Sequence, residues 1–434
     1  MKRLMFAGLA AAVLLLPVGL FAAGGQENAS SGQKVVTYFA NSKYYSDNTT
    51  IMRNEAFEKA TGIKVEMQLV PGEDEDFYDK TDIAIMAGDT TDCIRLTNPL
   101  NIARYVQAGF LLPLDGLLKK GGYDAEAVYG KFLKRYDGKL LYLPYEQSIH
   151  SVYYNKAIFK NAGLQFPKVP WTWDDYTAAA RKLTDRDRGI YGSYFVFDWE
   201  YYYYTPARQR GVPGYKPDGS SNYDHPDFRE SLKFLYDLGE VQKVQPSFKE
   251  YRAKKLGWDT WAATGQYGLI CIGSWFTGLL TDPVTYPREW DWGIVETPAA
   301  GPKGKNNLMA GGVWAVLKNA KHPEAAARYV AWISENSFRY AGGIPARVNL
   351  SAQEVQDLLG GIAQKSNGSV TVSDLDSALL HNSLGVVDEK ITGPKAREYS
   401  DIIKQEGQLY LSGEQSLDDT LRNIKARADK ILKG

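Results

Sequence analysis

Between residues 267 and 347 the chain reads YGLICIGSW (267–275), WDWGIVETPAAGP (290–302), LMAGGVWAVLKNAKHPEAAARYVAWISENS (308–337) and GGIPAR (342–347). The first apolar run is a strand that ends at Gly273-Ser274-Trp275, and a second closes on Pro298. The pair Gly311-Gly312 precedes a third strand, and the turn at His322-Pro323-Glu324 starts a helix. None of these pieces is specific alone. Their order is what carries information.

Upstream, residues 35–39 (VVTYF) form a strand, and residues 51–60 a helix with Asn48 and the adjacent threonines as candidate caps and Gly62 as its stop. Residues 63–67 alternate as a half-exposed strand, residues 77–87 are helical, and CIRL (93–96) is a strand again. Strand, helix, strand, helix, strand is α/β winding with a mainly parallel sheet. Residues 138–156, GKLLYLPYEQSIHSVYYNK, read as a short hairpin that reaches a proline and continues as a strand. In PWTWDDY (170–176), Thr172 caps a helix and Asp175 completes a capping box, which makes Trp173 a packing residue. At the far end Leu417, Leu421, Ile424, Ala428 and Ile431 recur at helical spacing behind Ser416 and Asp419 as cap and N3 residue.

Taken in order, these segments resemble the extracellular solute-binding proteins of sugar ABC importers, the group that includes the maltose-binding proteins. AGDTTDCIRL (87–96) is similar to a recurring turn of that family, with Thr91 in place of the usual proline. Residues 138–156 resemble its first crossover, PWTW its helix start, and residues 417–432 its closing helix. The likeness spans residues 35–432 and is weakest over 191–251. It implies an α/β, two-lobed clamshell of the periplasmic-binding-protein type, each lobe a mainly parallel sheet flanked by helices. Three crossovers are expected near Tyr145, Asn307 and Pro345. Residues 34–145 with 311–345 would form one lobe, and 146–307 with 346–434 the other. It further implies a monomer that captures a sugar between the lobes and docks on a membrane permease and its ATPase, with no cofactor.

Residues 1–25 have the layout of a secretory signal peptide. Lys2-Arg3 precede an apolar stretch over 4–20, followed by small residues and then Gln26-Glu27-Asn28. Pro17 argues against a spanning helix. The first cysteine, Cys93, lies far beyond the position of a lipoprotein anchor. The expected destination is the periplasm, or the exterior of a one-membrane cell. Formal charge is zero, with 51 basic and 51 acidic residues, which removes the basic excess a nucleic-acid binder uses. Ten tryptophans and 29 tyrosines exceed what a core alone requires. Cys93 and Cys271 each sit inside a predicted strand and read as buried thiols rather than a disulfide.

A sugar presents hydroxyls, which suit bidentate side chains, and an apolar C–H face, which suits flat aromatic rings. Candidates therefore belong on loops at the carboxyl ends of strands. Tyr44 and Tyr45 follow the opening strand, Asn98 follows the strand ending at Leu96, and Glu146 follows Pro144 at the first crossover. Trp199 and Tyr202 are the choices within DWEYYYY (198–204), whose alternative reading is core packing. Trp275 stands where the family places a stacking aromatic. Gly311 and Gly312 would bring backbone N–H groups close to a ligand, with Trp314 beside them. Arg347 would pair with hydroxyls, with Glu146, or with a surface carboxylate.

The acidic run at 73–76 lacks calcium-loop spacing, no histidine pair has zinc-ligand spacing, and no nucleophile elbow or nucleotide loop is present. Two alternatives stand beside the sugar receptor. A clamshell for a phosphodiester, peptide or polyamine is one, with Arg95 and Arg347 as the placed cations. A secreted glycoside hydrolase using Glu146 and Asp198 is the other, although eight strand–helix units are not visible.

Overall fold

The computed structural model describes residues 34–42, 48–72, 74–341 and 343–433; the expected leader lies outside them. Strand β1 (Val35–Asn41) and β2 (Lys64–Val70) flank the helix Asn48–Thr61 and pair in parallel from Val35↔Lys64 to Asn41↔Val70. After the helix Asp74–Met86, β3 (Cys93–Leu96) joins the other side of β1, also parallel. The alternation read from the sequence places Val36 and Tyr38 in one core and Phe39 in another, on opposite faces of the sheet. β2 is the edge and carries Lys64 and Glu66 outward, which discourages pairing with another chain.

Strand β4 (Leu143–Asn155) is long and almost wholly buried. It leaves this first lobe and enters a second built on β5 (Tyr191–Tyr194), β6 (Tyr267–Gly273) and β7 (Trp292–Glu296). Residues up to Ile149 pair with β8 (Asn306–Val316), and from His150 onward with β6 and β7. β8 travels the opposite way, starting beside β9 (Gly385–Asp388) and ending against β3. The sheet order is β2-β1-β3-β8-β4-β6-β5. It is mixed: β1–β2, β1–β3, β5–β6 and β8–β9 are parallel, whereas β4 and β8 are antiparallel because each enters one lobe as it leaves the other. A third passage lies alongside. Gln147 donates its backbone N–H to Ile344 O at 2.8 Å and its side-chain amide to Pro345 O at 3.3 Å.

Local signals match these elements. Thr172 and Asp175 make the capping box, and Trp173 is buried with its indole N–H donating to Gln209 at 2.7 Å. Ser416 Oγ accepts from Asp419 N at 3.1 Å. Cys93 and Cys271 are free and buried in separate cores. Buried Asp92 accepts from Thr37 N, Thr37 Oγ and His322 N, tying β1 and β3 to the helix Pro323–Asn336. Among the described residues no helix is long and apolar enough to cross a membrane.

The glycine pair of β8 has a packing reason. A Cβ built on Gly312 would lie 2.2 Å from Tyr145 Cε1, and one on Gly311 2.9 Å from Glu146 O. Gly312→Ala must displace the Tyr145 ring, so it is expected to lower unfolding free energy by about 1–3 kcal/mol. Gly116→Ala, with nothing within 4 Å of the added atom, should be neutral or slightly stabilising. Urea titration of both variants compares them; equal midpoints would refute the steric account.

Candidate functional site

The carboxyl ends of β1, β3 and β6 open onto one cleft between the lobes. It has a volume of about 700 Å³ and is lined by Arg53, Arg95, Tyr145 and Glu146 on one side and by Ser274 and Trp275 on the other. Residues 337–340, Gly343, Ile344 and the helix Ala352–Lys365 close its flank. A recess of about 150 Å³ runs deeper into the first lobe beneath Arg53 and Arg95, with Trp314, Tyr38, Tyr78 and Thr97 in its walls.

Trp275 reaches the cleft because β6 ends at Gly273 and the chain turns tightly through Ser274–Phe276. A Cβ on Gly273 would sit 2.5 Å from Ser148 Oγ and 2.8 Å from the Trp275 indole nitrogen, so glycine sets this approach. The half-buried ring is held edge-on by Trp199 at 5.9 Å, Trp258 at 5.6 Å and Phe276 at 5.8 Å between centroids. That brace fixes a flat apolar surface, suited to a C–H face.

Glu146 lies beside a bulge in β4 at Pro144/Glu146, a device that re-aims a side chain. Its carboxylate approaches Gly343: a Cβ there would be 3.1 Å from Oε1, and Gly343 has φ +82°. Burial raises the Glu146 pKa above the usual carboxylate range, while Arg95 and the Tyr145 hydroxyl pull it down.

Arg53 projects from the helix Asn48–Thr61 and is 4% exposed, with its guanidinium carbon 5.8 Å from the Trp314 ring centroid.

The structure sorts the sequence candidates. Glu146 and Trp275 line the cleft, and Trp314 lines its recess although its ring is fully buried. Trp199 does not reach the lining; it stacks on Tyr201 at 5.8 Å and braces Trp275. Tyr202 is a core residue, 2% exposed, and its hydroxyl donates to Cys271 O at 2.7 Å. The turn Glu200–Tyr203 faces the second-lobe core, so the packing alternative holds for Tyr202. Asn98 caps the helix Pro99–Gln107, with its side-chain oxygen accepting from Leu100 N at 2.9 Å. Arg347 is not available to a hydroxyl or to Glu146: it pairs with Glu354 at 3.1 Å and donates to Asn349 at 2.9 Å. Gly311 and Gly312 line a second cavity of about 290 Å³, on the ribbon face that carries Tyr142 and Val313, which shares Glu146 with the cleft. Tyr44 and Tyr45 lie outside the described residues.

Sequence reasoning missed Arg53, Tyr145, Trp258, Ser274 and Gly343. Two had a signal: Tyr145 adjoins the crossover proline, and Gly343 belongs to GGIPAR.

The family model for bacterial extracellular solute-binding proteins matches residues 45–337. A binding protein of Brucella abortus (strain 2308) is 23% identical over 438 residues, covering 98% of each chain. The sn-glycerol-3-phosphate-binding periplasmic protein of Agrobacterium fabrum is 25% identical over 352 residues, covering 75% of this chain and 76% of its own. Among solved structures, an ABC substrate-binding protein of Listeria monocytogenes in complex with cycloalternan superposes with TM-score 0.76 at 22% identity, covering 93% of this chain and 100% of its own.

Three outcomes follow from this geometry. Trp275→Ala should weaken ligand capture by about 30-fold or more, as loss of a central aromatic contact does. Tyr202→Phe should leave affinity unchanged, and equal losses in calorimetric titration would contradict the assignment. A carboxyl whose folded pKa is raised favours folding below its unfolded pKa and costs stability as pH rises through the folded value. Glu146→Gln should therefore raise Tm over wild type near pH 8, with the gain vanishing near pH 4. A gain independent of pH would exclude buried charge as its cause.

Proposed function

This chain belongs to the bacterial extracellular solute-binding proteins, and from that premise we propose that its interlobe cleft captures a carbohydrate for an ABC importer. The observation that carries the reading is the pairing, in one cleft, of the braced Trp275 ring with directed polar groups, Arg53 and Arg95 from the other lobe and Glu146 from the crossover strand. The ring suits a sugar's C–H face, and the polar groups suit its hydroxyls.

Residues 34–145 with 311–345, and 146–307 with 346–434, act as the two bodies that close on the ligand. β4, β8 and residues 344–347 are the hinge. Only closure lets both lobes touch one ligand, so binding shifts the population toward the closed form. A membrane permease and its ATPase then receive the ligand. Residues 1–25 direct the chain out of the cytoplasm to the periplasm.

The chain performs no catalysis in this scheme. Asp198, the partner a hydrolase would need for Glu146, bonds the Tyr251 hydroxyl at 2.9 Å and does not line the cleft. A phosphorylated polyol is the second reading, supported by the sn-glycerol-3-phosphate-binding relatives.

The test is calorimetric titration of the unfolded and refolded protein, stripped of co-purified ligand, against mono- and oligosaccharides and glycerol phosphate. X-ray scattering with and without the tightest ligand reads closure. One sugar binding stoichiometrically, unaltered chemically, with a smaller radius of gyration, is the expected result. Preference for glycerol phosphate would favour the second reading, and release of shortened sugar would revive the hydrolase.

A further inference from the structure

Resting on the carbohydrate reading of the cleft, we infer that the first-lobe recess is an oxyanion subsite and that the ligand is a sugar acid whose carboxylate enters it. The recess holds Arg53, Arg95 and Trp314, and among the described residues no aspartate or glutamate is in its lining. Arg53 is 4% exposed and Trp314 fully buried, yet among the described residues Arg53 Nε and Trp314 Nε1 have no hydrogen-bond acceptor. Buried N–H groups are almost always paired, and each unpaired one needs an explanation. Both belong to residues that line one recess, beside a second guanidinium, and this concentration of donors describes a site for an acceptor.

Other arginines find acceptors: Arg208 and Arg288 donate to backbone carbonyls at 3.1 and 2.8 Å. Arg104, Arg210, Arg347 and Arg427 each reach a carboxylate within 3.1 Å. Among the described residues Arg53 and Arg95 form no ion pair. What stands near Arg53 is the Trp314 ring, 5.8 Å from its guanidinium carbon, a weaker partner than a carboxylate. A buried cation without a counter-charge is costly, and an anionic ligand removes that cost on binding.

Charge selects the kind of anion. Glu146 shares the cleft lining with both arginines and interacts electrostatically with Arg95. The cleft lining further holds Arg339, paired with Glu354, and Asp282, Asp357 and Lys365; Arg53, Arg95 and ionised Glu146 by themselves carry a single positive charge. A carboxylate neutralises it, whereas a phosphate monoester carries about 1.5 to 2 negative charges at neutral pH and exceeds it. The two oxygens of a carboxylate also match the planar fork of a guanidinium. The ring hydroxyls then fall in the wider part of the cleft, toward Glu146, Ser274 and Trp275.

The experiment is calorimetric titration of the full chain with glucuronate, galacturonate and gluconate. Each is compared with its neutral parent (glucose, galactose, glucitol) and with hexose 6-phosphates. One acid should bind at least about 30-fold more tightly than its neutral parent, and Arg53→Gln or Arg95→Gln should abolish that preference. Arg95 is the less buried of the two, so R95Q carries the test if R53Q fails to fold by circular dichroism. A neutral parent binding as tightly as its acid, or a preference that survives R95Q, overturns the subsite and leaves the carbohydrate reading intact. Preference for a hexose phosphate overturns the carboxylate assignment. Silence toward every sugar, acidic and neutral, removes the carbohydrate reading and this inference with it.

Discussion

Six paired positions of β4 and β8, from Leu143↔Trp314 to Ile149↔Met309, form the antiparallel ladder through which the chain passes between lobes. A ladder of this kind resists sliding, because register is fixed by hydrogen bonds, yet it yields to twist. The hydrogen bonds of Gln147 to Ile344 and Pro345 bring the third passage against the first. The close approach needs small residues opposite large ones: Gly312 faces the Tyr145 ring and Gly311 the Glu146 carbonyl. The same strand presents Glu146 to the cleft, so the connection between lobes is also part of the lining.

On the second lobe the cleft is apolar and braced, with Trp275 held by Trp199, Trp258 and Phe276. On the first it is polar, with Arg53 and Arg95 around a recess. A ligand seated between them exchanges water on both sides, losing hydration of its C–H face to Trp275 and of its polar groups to the arginines. The two contributions lie in different lobes, which couples affinity to closure. The chain's formal charge of zero conceals this local cationic site.

Some residues were readable because their partners are close along the chain. Thr172 with Asp175, and Ser416 with Asp419, are three residues apart, and capping geometry follows from that spacing. The strand ending at Trp275 was visible as an apolar run stopping at glycine. Trp199 and Tyr202 were harder: both belong to one aromatic cluster, and the turn at Glu200–Tyr203 breaks the alternation that would have separated lining from core. Of the three partners read for Arg347, the fold supplies the carboxylate outside the crossover: the helix at Ser351 fixes Glu354 within its reach, a contact that depends on how the chain turns after Pro345.

The sequence by itself determined the α/β winding, the helix caps, the order of crossovers and the buried state of both cysteines. Each of these depends on periodicity or on neighbours a few residues away. Tertiary structure alone decided the recess. Arg53 stands on a helix, Arg95 on a strand 42 positions later, and Trp314 on the returning strand β8. No local pattern links them. They share one cavity only because β1 and β8 both pack against β3, and strand order in a sheet is set by the folded core, not by spacing along the chain.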